Sequence, residues 1–278
     1  MEEELKSENL LQVYNVGDVE VLPSQVDMTL CVVVRRGMLV AGFNPQKDLL
    51  TIRYHGYEAH KTVWDVEFFS QVARTEPILE APEKVRAVFV LGDKNMVIPN
   101  DLYKEQHAKV WLRQIHYIEH DDVVEAFPLE QDRAMYMLAI PGDVKNWIAG
   151  KFANASIRSL AEYQFLKPPK IGLCLQSCVT AEQVCCTLHI DGNLLWHKVM
   201  DYTAAEDIVF EGKFLCKENN YFATKLTILF NALTGGEFPV LNDYSQYYPA
   251  MKSGEGARIH EPWDAPVALI KQLLSCVL

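Results

Sequence analysis

The chain has 278 residues, of which 49% are hydrophobic and 23% charged, with 14 Gly and 13 Pro. That composition excludes collagen-like, disulfide-scaffold and wholly disordered classes and supplies core material for one large or two modest domains. Lys and Arg number 26 against 37 Asp and Glu, a net charge of −11, and with no run of five basic residues this repels nucleic-acid backbones and anionic lipid surfaces.

In chain order, residues 1–25 are polar and mixed and read as a tail or an added edge. Met28–Val34 and Met38–Phe43 read as strands around the turn Arg35-Arg36-Gly37, and Pro45-Gln46-Lys47-Asp48 turns into a third strand at Leu49–His55. Thr62, with Asp65 three residues on, is expected to cap a helix carrying Val63, Val66, Phe69 and Ala73. A strand at Val85–Leu91, a helix over Asn100–Gln114, a strand at Ala134–Ile140 and a helix opened by Asp143 follow. The order then recurs. Ile171–Ser177 and Val184–Ile190 read as strands around Thr180-Ala181-Glu182, and Asp191-Gly192-Asn193 is a hairpin turn into a strand at Leu194–Met200. Thr203 and Glu206 form a capping-box pattern before a helix with the stripe Ala205, Ile208, Val209, Gly212 and Leu215/Cys216. A strand at Leu226–Phe230, a helix near Val240–Tyr248, a strand at Ala257–Ile259 and a helix from Asp264 close the chain.

Each half thus reads βββαβαβα. The capping threonines Thr62 and Thr203 are 141 residues apart, as are the strand starts Val85 and Leu226. The expected fold class is α/β, with mixed sheets, in the duplicated topology of the actin-like, ribonuclease-H-like ATPase fold. The expected organisation is an N-terminal tail or edge over 1–25, a first domain over 26–166 and a second over 167–278. The stretch Phe165-Leu166-Lys167-Pro168-Pro169-Lys170 suits the crossing, because Pro-Pro ends a preceding helix.

The segments Asp191-Gly192-Asn193-Leu194-Leu195-Trp196, Tyr202-Thr203-Ala204-Ala205-Glu206-Asp207 and Val97-Ile98-Pro99-Asn100-Asp101-Leu102-Tyr103 resemble those of an uncharacterised Bacteroidetes family. Its structural representative has an actin-like ATPase fold. The resemblance spans roughly residues 28–260; it implies the fold and carries no activity with it.

ATPases of this fold bind phosphate on the hairpin between the first two strands of each half. They use Asp-x-Gly-type turns whose backbone N–H groups approach phosphate while a carboxylate organises magnesium. Here those turns are Arg35-Arg36-Gly37 and Thr180-Ala181-Glu182-Gln183, and neither has the pattern. Asp191-Gly192 lies on the following hairpin and reads as a type I′ turn. Gly235 and Gly236 stand where such ATPases contact adenosine, and are the candidate for a vestigial contact. No P-loop or dinucleotide-binding glycine signature occurs. His116 and His120 would share a face of a helix, a metal-ligand spacing, but the simpler reading is a solvated acidic helix end, and no metal is expected. The adjacent Cys185-Cys186 should point to opposite faces of a strand, and Cys174 and Cys178 lack partners at metal-ligand distance. The seven cysteines, odd in number and irregular in spacing, read as free thiols. Tyr244, Tyr247 and Tyr248 cluster near Phe238 and Trp263 and read as core or as an interface.

The sequence therefore predicts no catalytic residues, no cofactor and a non-catalytic module that binds another protein. The alternative is a divergent ATPase or sugar-kinase-like phosphotransferase, with ATP and magnesium between its domains. Nucleic acid is not expected as a partner, and neither is membrane insertion, because no apolar run approaches the roughly 18 residues a spanning helix needs. The start Met1-Glu2-Glu3-Glu4 is acidic where a secretory signal is basic and then apolar, so the expected location is the cytoplasm.

Overall fold

The computed structural model describes residues 11–17, 21–57, 62–129, 133–166, 168–218, 226–233, 252–253 and 264–278. They fall into two compact units, Met1–Leu160 with Val277–Leu278, and Ala161–Cys276.

The first unit is built on strands β1 (Leu11–Gly17), β2 (Met28–Val34), β3 (Gly37–Phe43), β4 (Leu49–Gly56), β5 (Val85–Val90) and β9 (Ser156–Ser159), in the order β1-β4-β3-β2-β5-β9. β2, β3 and β4 form an antiparallel meander, and β5 and β9 extend it in parallel. Every residue of β2 and β3 is buried, which is why these strands are continuous apolar runs without alternation. β1 pairs with β4 at the edge of the sheet.

Helix α1 (Val66–Thr75) buries Phe68, Phe69, Val72 and Ala73. Its cap is Asp65, whose carboxylate accepts the N–H groups of Glu67 and Phe68, and not the expected Thr62. Trp64 turns through the left-handed region at φ 60°, which a right-handed helix cannot pass through, so the helix cannot begin at Thr62. α1 ends on Glu76, whose carboxylate accepts hydrogen bonds from Arg53 at 2.6 Å and His55 at 3.0 Å. Arg53 and His55 alternate with the other face of β4 and so reach Glu76 together. All three side chains are buried.

Between β5 and β9 the chain departs from the expected order. Ala134–Ile140 (β8) is no member of the main sheet; it is the centre of a separate antiparallel sheet, flanked by β6 (Asn95–Pro99) and β7 (Val123–Leu129). The fifth strand of the main sheet is instead β9, which follows helix α3 (Gly142–Lys151). The helix expected over Asn100–Gln114 contracts to α2 (Ala108–Leu112), preceded by 3₁₀ turns at Asn100–Leu102 and Glu105–His107. Extended backbone at Tyr103 and Lys104 breaks it and lets Tyr103 pack on the cluster of Ile98, Leu112 and Met137.

The second unit opens with α4 (Glu162–Leu166), which ends just before Pro168-Pro169, as expected of that dipeptide. Strands β10 (Leu173–Val179), β11 (Gln183–Ile190), β12 (Asn193–Asp201), β13 (Thr227–Ala232) and β14 (Lys252–Ser253) follow in the order β12-β11-β10-β13-β14. The meander is antiparallel, and β13 and β14 join in parallel. Relative to the main sheet of the first unit, without its edge strand, order and direction are the same: third, second, first, fourth, fifth. This is the duplication the sequence predicts. Asp191 and Gly192 both have positive φ, 48° and 85°, as a type I′ hairpin requires.

Helix α5 (Ala205–Glu218) lays the expected Ile208, Gly212 and Leu215 inward. Its N-terminus is tied by Asp207, which accepts from the N–H groups of Thr203 and Ala204 and from the Thr203 hydroxyl; the expected partner was Glu206. Those bonds hold the Asp207 carboxyl below its ordinary pKa. Helix α6 (Asp264–Val277) closes the chain. The expected helix at Val240–Tyr248 and strand at Ala257–Ile259 lie outside the described residues, as do Phe238, Tyr244, Tyr247, Tyr248 and Trp263. No helix among the described residues is long and apolar enough to cross a membrane.

Candidate functional site

A phosphate cradle needs backbone N–H groups pointing away from their own hairpin. In the first hairpin, Val34 pairs with Gly37 across Arg35 and Arg36. The Arg35 carbonyl accepts the Trp64 N–H at 2.8 Å and the Tyr57 hydroxyl at 2.6 Å, and the Arg36 carbonyl accepts the Tyr57 N–H at 3.2 Å. The Arg36 guanidinium lies over the Tyr57 ring, 5.9 Å from its centroid. Gly37 is glycine because of packing: a Cβ there would stand 2.2 Å from the Tyr54 hydroxyl oxygen. Tyr57 and Trp64 of the same unit thus hold this hairpin.

The second hairpin is closed by one side chain. The buried Thr180 hydroxyl accepts the Gln183 N–H at 3.0 Å and the Glu182 N–H at 3.4 Å, and donates to the Gln183 carbonyl at 3.1 Å. The Thr180 N–H also donates to the Gln183 carbonyl, at 2.8 Å. Tyr202 takes two further carbonyls, its hydroxyl bonding Thr180 at 2.6 Å and its N–H bonding Glu182 at 3.1 Å. Burial, and next the Glu182 carboxylate, push the Tyr202 phenol above its ordinary pKa. The amides of residues 180, 182 and 183 are all consumed inside the turn. The second hairpin therefore offers a phosphate none of these three amides. Gly235 and Gly236, the candidate adenosine contact, lie outside the described residues.

The other sequence candidates disperse. His116 and His120 do not share a helix. The His116 ring nitrogen Nε2 bonds the Asn95 carbonyl at 2.9 Å, while the loop around His120 is pinned by Lys109, which donates to the carbonyls of His120 and Asp122. Among the described residues no group of three His, Cys, Asp or Glu side chains could hold a metal ion. Cys185 and Cys186 point to opposite faces of β11, as predicted: Cys186 joins the apolar cluster beneath α5, and Cys185 donates to Gln164. Burial pushes the thiols of Cys174, Cys178 and Cys186 up to about 12, so they are protonated and poor nucleophiles.

What sequence reasoning missed is a polar layer on one face of the second sheet. Towards α5 the sheet presents Leu175, Val179, Leu188, Ile228 and Phe230. The other face presents Gln176, Thr187, His189 and Asn231, all buried. Gln164 of α4 is its hub. Its amide nitrogen donates to the Cys185 carbonyl and the Tyr163 hydroxyl, each at 3.2 Å, and its carbonyl oxygen accepts from the Thr187 hydroxyl and the Cys185 thiol. Thr187 has one hydroxyl hydrogen, which goes to Gln164. The 3.0 Å contact between its oxygen and His197 Nδ1 therefore requires the Nδ1–H tautomer of His197.

Both histidines are held neutral. Burial lowers His189 to about 4; burial, and next the neighbouring His189, lower His197 to about 3. A histidine whose folded pKa lies below its unfolded value stabilises the fold above the unfolded pKa, and that stability is lost as pH falls. Between about pH 6.5 and pH 4 the protonation of His189 should cost on the order of 2 kcal/mol. Denaturant unfolding of the protein and of His189→Asn at pH 7 and pH 4.5 checks this. The stability difference between the two should shrink on acidification by about that amount; an unchanged difference would contradict it.

No curated protein matches the chain in sequence. Among solved structures it is similar to a Bacteroides thetaiotaomicron protein with an actin-like ATPase fold and unknown function, at a TM-score of 0.72 and 12% identity, over 94% of this chain and 100% of that one. It is also similar to a chain of a PilM–PilN type IV pilus biogenesis complex, at a TM-score of 0.55 and 12% identity, over 91% and 99% of the two chains. The duplicated sheets are thus those of the actin-like ATPase fold. A family described as "Protein of unknown function (DUF3822)" matches residues 28–166, half of the sequence, and the chain belongs to that family.

Proposed function

We propose that this protein is a non-catalytic module of the actin-like ATPase fold that works by binding another protein. The observation that carries the reading is the closure of the second hairpin by Thr180, which spends on the turn itself the amides that nucleotide chemistry would use. Fold alone assigns no activity, and with this cradle filled the scaffold is left with its surfaces. A surface of the right kind exists on α5, where Phe210 and Phe214 stack one turn apart, ring centroids 6.2 Å apart, and are 69% and 45% exposed. Large aromatic side chains left together on a surface mark interaction sites. The pilus complex noted above offers a precedent for a chain of this fold in a multiprotein assembly.

Cross-linking in the source cell, followed by mass spectrometry, tests this. One protein should be recovered reproducibly with the full chain and lost with Phe210→Ser/Phe214→Ser, whose substitutions lie on the solvent side of α5. No specific partner, or an unchanged set with the variant, would contradict the proposal.

A further inference from the structure

The polar layer of the second unit borders a cavity of about 380 Å³, within the size range of small-molecule sites. Gln176 of β10 and Asn231 of β13 face into it from the sheet, Leu229 and Pro168 give it apolar walls, and Lys271 and Gln272 line it from α6. Asn231 is held in one orientation, because its amide nitrogen donates to the Tyr163 hydroxyl at 3.3 Å and to the Gln272 side-chain oxygen at 3.2 Å. Its Oδ1 is thereby turned away from both partners. Among the described residues neither Asn231 Oδ1 nor Gln176 Oε1 receives a hydrogen bond, although the two residues are 0% and 5% exposed.

A buried carbonyl oxygen without a donor costs about 1–3 kcal/mol. Leucine at either position would avoid that cost, and the α5 face of the same sheet is built in that apolar way. Two acceptors kept in this state beside an open volume are arranged for a ligand that supplies donors. Among the described residues Lys271 is the only charged side chain lining the cavity, and it is exposed, so it can meet an anionic group at the solvent side. We propose that this cavity binds a small organic anion bearing hydroxyl or amide donors. The donors bond Gln176 and Asn231, the carbon skeleton lies against Leu229 and Pro168, and the anionic group meets Lys271.

Titration calorimetry on the full chain with four probes tests this. Gluconate supplies hydroxyl donors and a carboxylate, and N-acetylglycine an amide donor and a carboxylate. Propionate lacks the donors, and sorbitol lacks the charge. At least one of the first two should bind saturably, at least about tenfold more tightly than either control. Lys271→Ala and Gln176→Leu should each weaken that binding by about tenfold, the loss of one hydrogen bond or charge contact. Lys271 is exposed, so its substitution tests the site without disturbing the core. Binding by neither gluconate nor N-acetylglycine, equal binding of propionate or sorbitol, or insensitivity to both substitutions would overturn the proposal and leave the cavity to water.

Discussion

Glu76→Ala is expected to destabilise the first unit by about 3–5 kcal/mol, the usual cost of removing one partner from a buried ion pair. Glu76 is 2% exposed and holds Arg53 at 2.6 Å and His55 at 3.0 Å, themselves 6% and 7% exposed. Alanine would leave the guanidinium buried against the sheet without its anion and the imidazole without its acceptor. Glu76→Gln keeps the shape and one acceptor, and should cost less. Denaturant unfolding gives the energies. Hydrogen exchange locates them, because amide protection should fall in β2–β5 of the variant. A loss under about 1 kcal/mol, the range of exposed pairs, would show that the three side chains do not act as a buried unit.

The second large effect is expected at Gln164→Leu. The substitution nearly preserves volume but removes two donor contacts and two acceptor contacts in one step, to Cys185, Tyr163 and Thr187. At about 0.5–1.5 kcal/mol net for each bond, and more where a buried partner is orphaned, the loss should reach about 3 kcal/mol. The same change frees the Thr187 hydroxyl to turn towards His197 Nδ1, which then accepts. A shift of the His197 proton to Nε2, read from imidazole nitrogen chemical shifts, should accompany the destabilisation. Unchanged stability, with the tautomer unchanged, would mean Gln164 is not the hub of this layer.

The parts of this fold that were legible in the sequence are those whose local signals agree with their surroundings. The meanders β2–β4 and β10–β12 stand out because apolar runs rich in Val, Leu and Ile are punctuated by Gly37, by Asp48 and by Asp191-Gly192. β9 was invisible: Ser156-Ile157-Arg158-Ser159 contains one apolar residue and exists through its parallel pairing with β5. β6 contains Pro99 and is held by β8. Omitting these two strands assigned β8 to the wrong sheet. The phosphate hairpins were placed correctly in the sequence, but their closure was not readable there. The capture of the Gln183 and Glu182 amides by Thr180 is a property of turn geometry. Gln164, Gln176 and Asn231 escaped because a polar residue in an apolar segment has no local mark distinguishing a buried network from solvent. One signal was present: Gln176 and Thr187 sit inside runs too apolar on both faces to leave either residue at a solvated surface.

The central proposal, that the second hairpin of this actin-like scaffold does not serve nucleotide chemistry, is tested most directly by titrating the purified chain with ATP and magnesium while phosphate release is followed. Phosphoryl transfer rests on positioned donors and a metal ion, and losing even one preorganised donor typically costs about 10²–10³ in rate. With the amides of residues 180, 182 and 183 taken within their turn, no turnover above background is expected at ATP concentrations up to about 1 mM, the upper end of ordinary KM values. Steady, magnesium-dependent turnover abolished by Glu182→Gln would contradict the account and make the protein a divergent ATPase.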